Sequence, residues 1–90
     1  MKLFAVEEEL AELETRLPLL YGPERLAATV ELSWHLRQRN CERAITLADE
    51  SDALLAQLDI PQEARAMLTA RLQLVRGNIH LLFVLSLIHI

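Results

Sequence analysis

Leu3, Val6, Leu10, Leu13 and Leu17 alternate spacings of three and four residues. That spacing draws one narrow apolar stripe along an α-helix, with a glutamate-rich opposite face. Pro18 ends the stripe, and Tyr21-Gly22-Pro23 forms a turn that places proline in the first turn of a second helix, where its missing N–H costs nothing. The second helix, about Pro23 to Gln38, carries two stripes at 100° per residue: Leu26, Ala27, Val30 and Trp34 on one, Ala28, Leu32 and Leu36 on the other. Two stripes predict a helix sandwiched between neighbours. Asn40 is a side-chain cap for a third helix, about Cys41 to Leu58. It returns to one stripe, Ala44, Leu47, Ala48, Ser51, Leu54, Leu55 and Leu58, and leaves Glu42, Asp49, Glu50 and Gln57 to solvent.

Asp59-Ile60-Pro61 closes the third helix and opens a fourth, in which Ala64, Leu68, Leu72 and Val75 form one stripe and Ala66, Met67, Ala70 and Leu74 another. Gly77-Asn78 then reads as a second break. The only two asparagines, Asn40 and Asn78, lie 38 residues apart, and at that offset Trp34 overlies Leu72, Leu36 overlies Leu74 and Cys41 overlies Ile79. A two-stripe helix, an asparagine turn and a one-stripe helix therefore read as a repeating hairpin, with Ile79 to Val84 opening a truncated fifth helix. The fold class is all-α. The divisions are residues 1–22 as a capping helix and turn, 23–60 as a first hairpin, and 61–84 as a second, truncated one.

The last six residues, Leu85 to Ile90, form a separate segment. Leu-Ser-Leu-Ile-His-Ile is the in-frame translation of CTG-TCT-CTT-ATA-CAC-ATC, a transposase end used in sequencing libraries. The segment resembles translated adapter, and such a scar is set aside in reasoning about fold. The natural sequence is then expected to run to about Val84 and to continue into another segment.

A hairpin of this length, with the stretch Arg37-Gln38-Arg39-Asn40-Cys41-Glu42-Arg43-Ala44, resembles the tetratricopeptide repeat. There a polar turn precedes the second helix and a small residue, here Ala44, lets the two helices close. Leu32-Ser33-Trp34-His35-Leu36-Arg37, followed by Ala44, Leu47, Ala48 and Leu54, is similar to the divergent repeats ahead of GGDEF (diguanylate cyclase) domains in bacterial signalling proteins. The resemblance spans about Pro23 to Val84. It implies a right-handed α-solenoid fragment that binds a protein or peptide, or neighbouring repeats of its own chain, and lies N-terminal to an output domain. It also implies a concave groove lined by Leu26, Thr29, Ser33 and Arg37 from the first repeat and Met67, Arg71 and Leu74 from the second. Thr29, Ser33 and Arg37 stand at i, i+4, i+8, a line of donors suited to an extended peptide or a carboxylate. A solvated helix face is the heavier alternative for the same line.

Composition narrows the function classes. Ninety residues make one domain that buries only about two thirds of its unfolded surface, so neighbours are expected to add stability. A net charge of −4 argues against nucleic acid, which requires an undiluted basic face. The single cysteine excludes an internal disulfide and fits a reducing, cytoplasmic setting. Cys41 lies between Arg39 and Arg43 at a helix start, an environment that lowers a thiol pKa, yet its counterpart Ile79 favours a small apolar role. Trp34 shares a stripe with Leu26 and Val30 and reads as core rather than as a ligand-stacking ring. His35, His80 and His89 share no metal-ligand spacing. Neither a cofactor nor a metal is expected. Glu7, Glu8, Glu9, Glu12 and Glu14 favour a helix N-terminus and pair with no nucleophile. The apolar run Ile79 to Ile90 is twelve residues, short of the roughly 20 that span a bilayer, so no membrane span is expected. The chain reads as a non-catalytic interaction or ligand-sensing scaffold. A homodimer paired through the Leu3–Leu17 stripe is the second reading.

Overall fold

The computed structural model describes residues 2–88, with side chains from Glu7 onward. The described chain is all-helical: α1 (Lys2–Arg16), a 3₁₀ turn (Leu17–Leu19), α2 (Gly22–Leu36), α3 (Cys41–Gln57) and α4 (Gln62–Ile88). Each junction has a local cause. Pro18 sits in the first turn of the 3₁₀ segment, and Pro23 in the first turn of α2. Gly22 takes φ +59°, a left-handed conformation that a side chain would strain by about 1–2 kcal/mol. The Arg43 amide donates to Asn40 Oδ1 at 3.2 Å, which makes Asn40 the cap of α3. At the other end of α3, Arg65 donates to the carbonyls of Leu55 (2.6 Å) and Leu58 (2.9 Å). A cation on those orphan acceptors suits the negative end of the helix.

The sandwiched position of α2 is what its two stripes require. Leu26 and Val30 form one cluster with Ala48, Leu55 and Leu72 from α3 and α4. Ala28 and Leu32 form another with Leu17 and Leu47, and Leu10, Leu13, Leu20 and Leu36 close around it. Between the stripes lie Thr29 and Ser33, fully buried with Ala44, Ala48 and Ser51. These small side chains let α2 and α3 approach closely enough for Ser33 Oγ to donate across the interface to the Ala44 carbonyl at 2.7 Å. The α3 stripe is buried or half-buried from Ala44 to Leu58, and Glu42, Asp49, Glu50 and Gln57 are exposed.

The expected break at Gly77-Asn78, and with it the truncated fifth helix, is corrected by the structure: α4 is continuous for 27 residues. One glycine costs a helix about 1 kcal/mol, less than the flanking leucine- and arginine-rich turns return. Asn78 does not cap. Its side-chain amide donates to the Leu74 carbonyl at 2.8 Å, and its Oδ1 accepts from Arg37 Nε at 3.5 Å. Those contacts leave its oxygen with no role in capping a following helix. The second α4 stripe is also uncovered: Ala66, Met67, Ala70 and Leu74 are exposed, and only Leu72 and Val75 of α4 are fully buried among the described residues. Beyond Gly77, Leu81, Leu82 and Phe83 on successive faces are 57%, 40% and 63% exposed.

Gly77 gives a direct check on this continuity. A Cβ added there meets nothing within 4 Å. Gly77→Ala should therefore raise stability by about 0.5–1 kcal/mol, read as a higher urea midpoint. A lowered midpoint would restore a left-handed turn at that place.

Candidate functional site

The structure separates the seven residues expected to line a groove: Leu26 is buried in the core and Leu74 is exposed on α4. Thr29 and Ser33 are interior: Thr29 Oγ1 donates to the Arg25 carbonyl at 2.6 Å, Ser33 Oγ to Ala44, and both side chains are fully buried. The Thr29 hydroxyl is spent on its own helix and the Ser33 hydroxyl on α3, so the predicted donor line reduces to Arg37. Ser33→Ala should cost about 1 kcal/mol in urea unfolding, because it strips the Ala44 carbonyl of its cross-helix donor. An unchanged midpoint would show that the hydroxyl is dispensable there.

Met67 and Arg71 line one cleft with Trp34, and Arg37 packs on that ring without lining the cleft itself. Trp34 is only half-buried, in a cleft of about 320 Å³ between α2 and α4. Ala27, Val30, Glu31 and His35 line it from α2, and Met67, Leu68 and Arg71 from α4. The Arg37 guanidinium carbon lies 3.7 Å from the Trp34 ring centroid, and that of Arg71 lies 5.0 Å from it. Both are within cation–π range. Arg37 is fixed further by donating Nη1 to the Trp34 carbonyl at 2.8 Å and Nε to Asn78. The spacing Trp34–Arg37, i to i+3, was legible as a face-sharing pair. The approach of Arg71 depends on how α4 lies against α2, which no local pattern specifies.

The other arginines have different partners. Arg43 meets Glu14 at 2.9 Å, Arg39 meets Glu7 at 3.7 Å, and Arg76 bridges Asp49 (2.8 Å) and Asp52 (2.7 Å). The hydrogen bonds that Arg43 donates to Glu14 hold the Arg43 pKa above its ordinary value. For Arg76, burial pulls the pKa down, but hydrogen bonds to Asp52 and Asp49 outweigh it and the net shift is upward. A raised arginine pKa gives stability that is complete below the unfolded value and lost only as pH rises through the folded one. These pairs are about a third or more exposed, so each contributes about 0–1 kcal/mol. They tie α1 to α3 and α3 to α4.

The remaining sequence candidates fall elsewhere. Cys41 is half-buried and its thiol donates to the Arg37 carbonyl at 3.3 Å. His35 lines the clefts beside α2, approaching Glu31 at 3.9 Å, and His80 lines a recess with Ile45, Arg76, Ile79 and Phe83. His89 lies outside the described residues. Among the described residues no three His, Cys, Asp or Glu side chains gather as a metal site. Leu10, Leu13 and Leu17 of the α1 stripe pack on the α2 cluster, so from Leu10 onward the stripe is used within the chain. The Leu3 and Val6 side chains lie outside the described part. With Gly77 inside a helix, α4 becomes long and apolar enough, by length and composition, to cross a bilayer. Leu72 and Val75, packed inside, and the Arg76 pairs tie its first half to the helical body.

Set against known proteins, the chain matches no family model, no curated protein and no solved structure.

Proposed function

We propose that this chain is a non-catalytic interaction scaffold of the tetratricopeptide-like kind, whose working face is the α2–α4 cleft. The observation that carries the reading is the cleft itself: a half-exposed Trp34 ring, two guanidiniums against it, and Met67, 70% exposed, on its rim. Aromatic, methionine and arginine side chains are the types enriched at protein interfaces. The layering supports it too. α2 packs against α1 and α3 through one cluster and against α3 and α4 through the other, and α4 ends the series with an uncovered stripe that another helix would bury. A right-handed stack of hairpins has that form. In this reading the chain is the N-terminal part of a bacterial cytoplasmic signalling protein such as a diguanylate cyclase, and occupancy of the cleft is passed along the stack.

Selection of random peptides on the purified chain tests the scaffold reading. Trp34 is the only tryptophan, so its emission reports the cleft directly. Peptides that shift that emission saturably, with affinity reduced by Met67→Glu, are expected. A library that yields no such peptide of any composition rejects the scaffold. The gene sequence beyond Val84 tests the signalling assignment, which a Gly-Gly-Asp-Glu-Phe run would support.

A further inference from the structure

Two arginines stand against the tryptophan ring of the α2–α4 cleft. In a chain with 13 acidic and 9 basic residues, Arg37 and Arg71 converge on one ring, yet among the described residues no carboxylate lies within 4.0 Å of either. Arg39, Arg43 and Arg76 have acids, Arg25 and Arg65 are spent on backbone carbonyls, and Arg16, away from the ring, also has no acid within 4.0 Å among the described residues. Arg37 has committed Nε and Nη1, so its Nη2 edge is open, while Arg71 makes no hydrogen bond among the described residues. An anion brought to either guanidinium fills donors that the protein leaves open.

We infer that the α2–α4 cleft takes an acidic peptide segment, with its carboxylates on Arg37 and Arg71 over the edge of Trp34 and an apolar side chain against Met67. This rests on the scaffold reading and specifies its ligand. The planar fork of the Arg37 guanidinium, already held against the ring and hydrogen-bonded, meets a carboxylate in bidentate geometry with less ordering left to lose. Apolar contact beside the charges comes from Met67 and Leu68. One group opposes the ligand. Glu31 lines the same cleft and, among the described residues, is engaged only with His35 at 3.9 Å.

The test is a Trp34 emission titration of the full chain at low salt with end-blocked hexaglutamate, hexalysine and inorganic phosphate as separate probes. Hexaglutamate should bind saturably and hexalysine should not. Arg71→Ala, at an exposed position, should weaken hexaglutamate about tenfold, since a charge-assisted hydrogen bond is worth about one such factor. Glu31→Gln should strengthen it by about threefold, an effect that a damaged fold does not produce. Equal binding of hexalysine, an Arg71→Ala titration that overlays the wild type, or inorganic phosphate matching hexaglutamate at equal concentration would each overturn the inference. If hexaglutamate fails while selected neutral or basic peptides bind, the acidic ligand is rejected and the scaffold stands. If no peptide binds, both fall.

Discussion

Leu47→Ala should cost about 3 kcal/mol, a large share of the stability of the chain. Leu47 is completely buried among Leu17, Ala28 and Leu32, where α2, α3 and the turn after α1 meet. Truncating a leucine in such a place removes its transfer free energy and leaves a cavity, about 2–5 kcal/mol together. Collapse around the gap is limited, because the neighbouring Ala28 and Ala44 have no atoms to extend into it and Ser33 is tied to the Ala44 carbonyl. A domain of this size has roughly 5–10 kcal/mol in total, so the loss is a large share. Circular dichroism in urea reads it as a lower midpoint with helicity falling in one step. A cost below about 1 kcal/mol would mean that the α2–α3 interface is looser than its full burial indicates.

Why that interface was legible in advance, and the cleft was not, follows from the range of the forces involved. The α3 stripe and both α2 stripes are set by periodicity, and apolar side chains at those spacings have no low-energy alternative to burial. Asn40 announced itself because a cap is a contact with the amide three residues on. Asn78 has the same chemistry, but its side chain spans from its own turn to Arg37 on another helix, so the backbone hydrogen bonds of α4 run on. The 38-residue offset matched residue types without matching their environments. Thr29 and Ser33 misled for a related reason. Polar side chains at i, i+4 describe a solvated line or a close helix–helix contact equally well, and only the small residues of α3 opposite them decide between the two. Trp34 was assigned to the core from its stripe, which is half right: one part packs and the other forms the cleft wall. The approach of Arg71 is tertiary and had no local signal.

Leu72→Ala should also cost about 3 kcal/mol, but its pattern of loss is expected to differ from that of Leu47→Ala. Leu72 is 1% exposed and is where α4 enters the cluster of Leu26, Val30, Ala48 and Leu55. In a stacked array each layer is stabilised by its nearest neighbours, so weakening a terminal contact opens the terminal layer first. Native-state hydrogen exchange should therefore show α4 amides before Gly77 losing protection in Leu72→Ala while α2 and α3 keep most of theirs. Trp34 emission should shift to the red, because α4 forms one wall of its cleft. Leu47→Ala, at an interface shared by the central helices, should lower protection throughout. If Leu72→Ala instead lowers α2, α3 and α4 together, the chain is a single cooperative bundle with no separable layers. Transmission along a stack, the mechanism that would carry a signal out of the cleft, then loses its physical basis, while ligand binding at Trp34 could still stand.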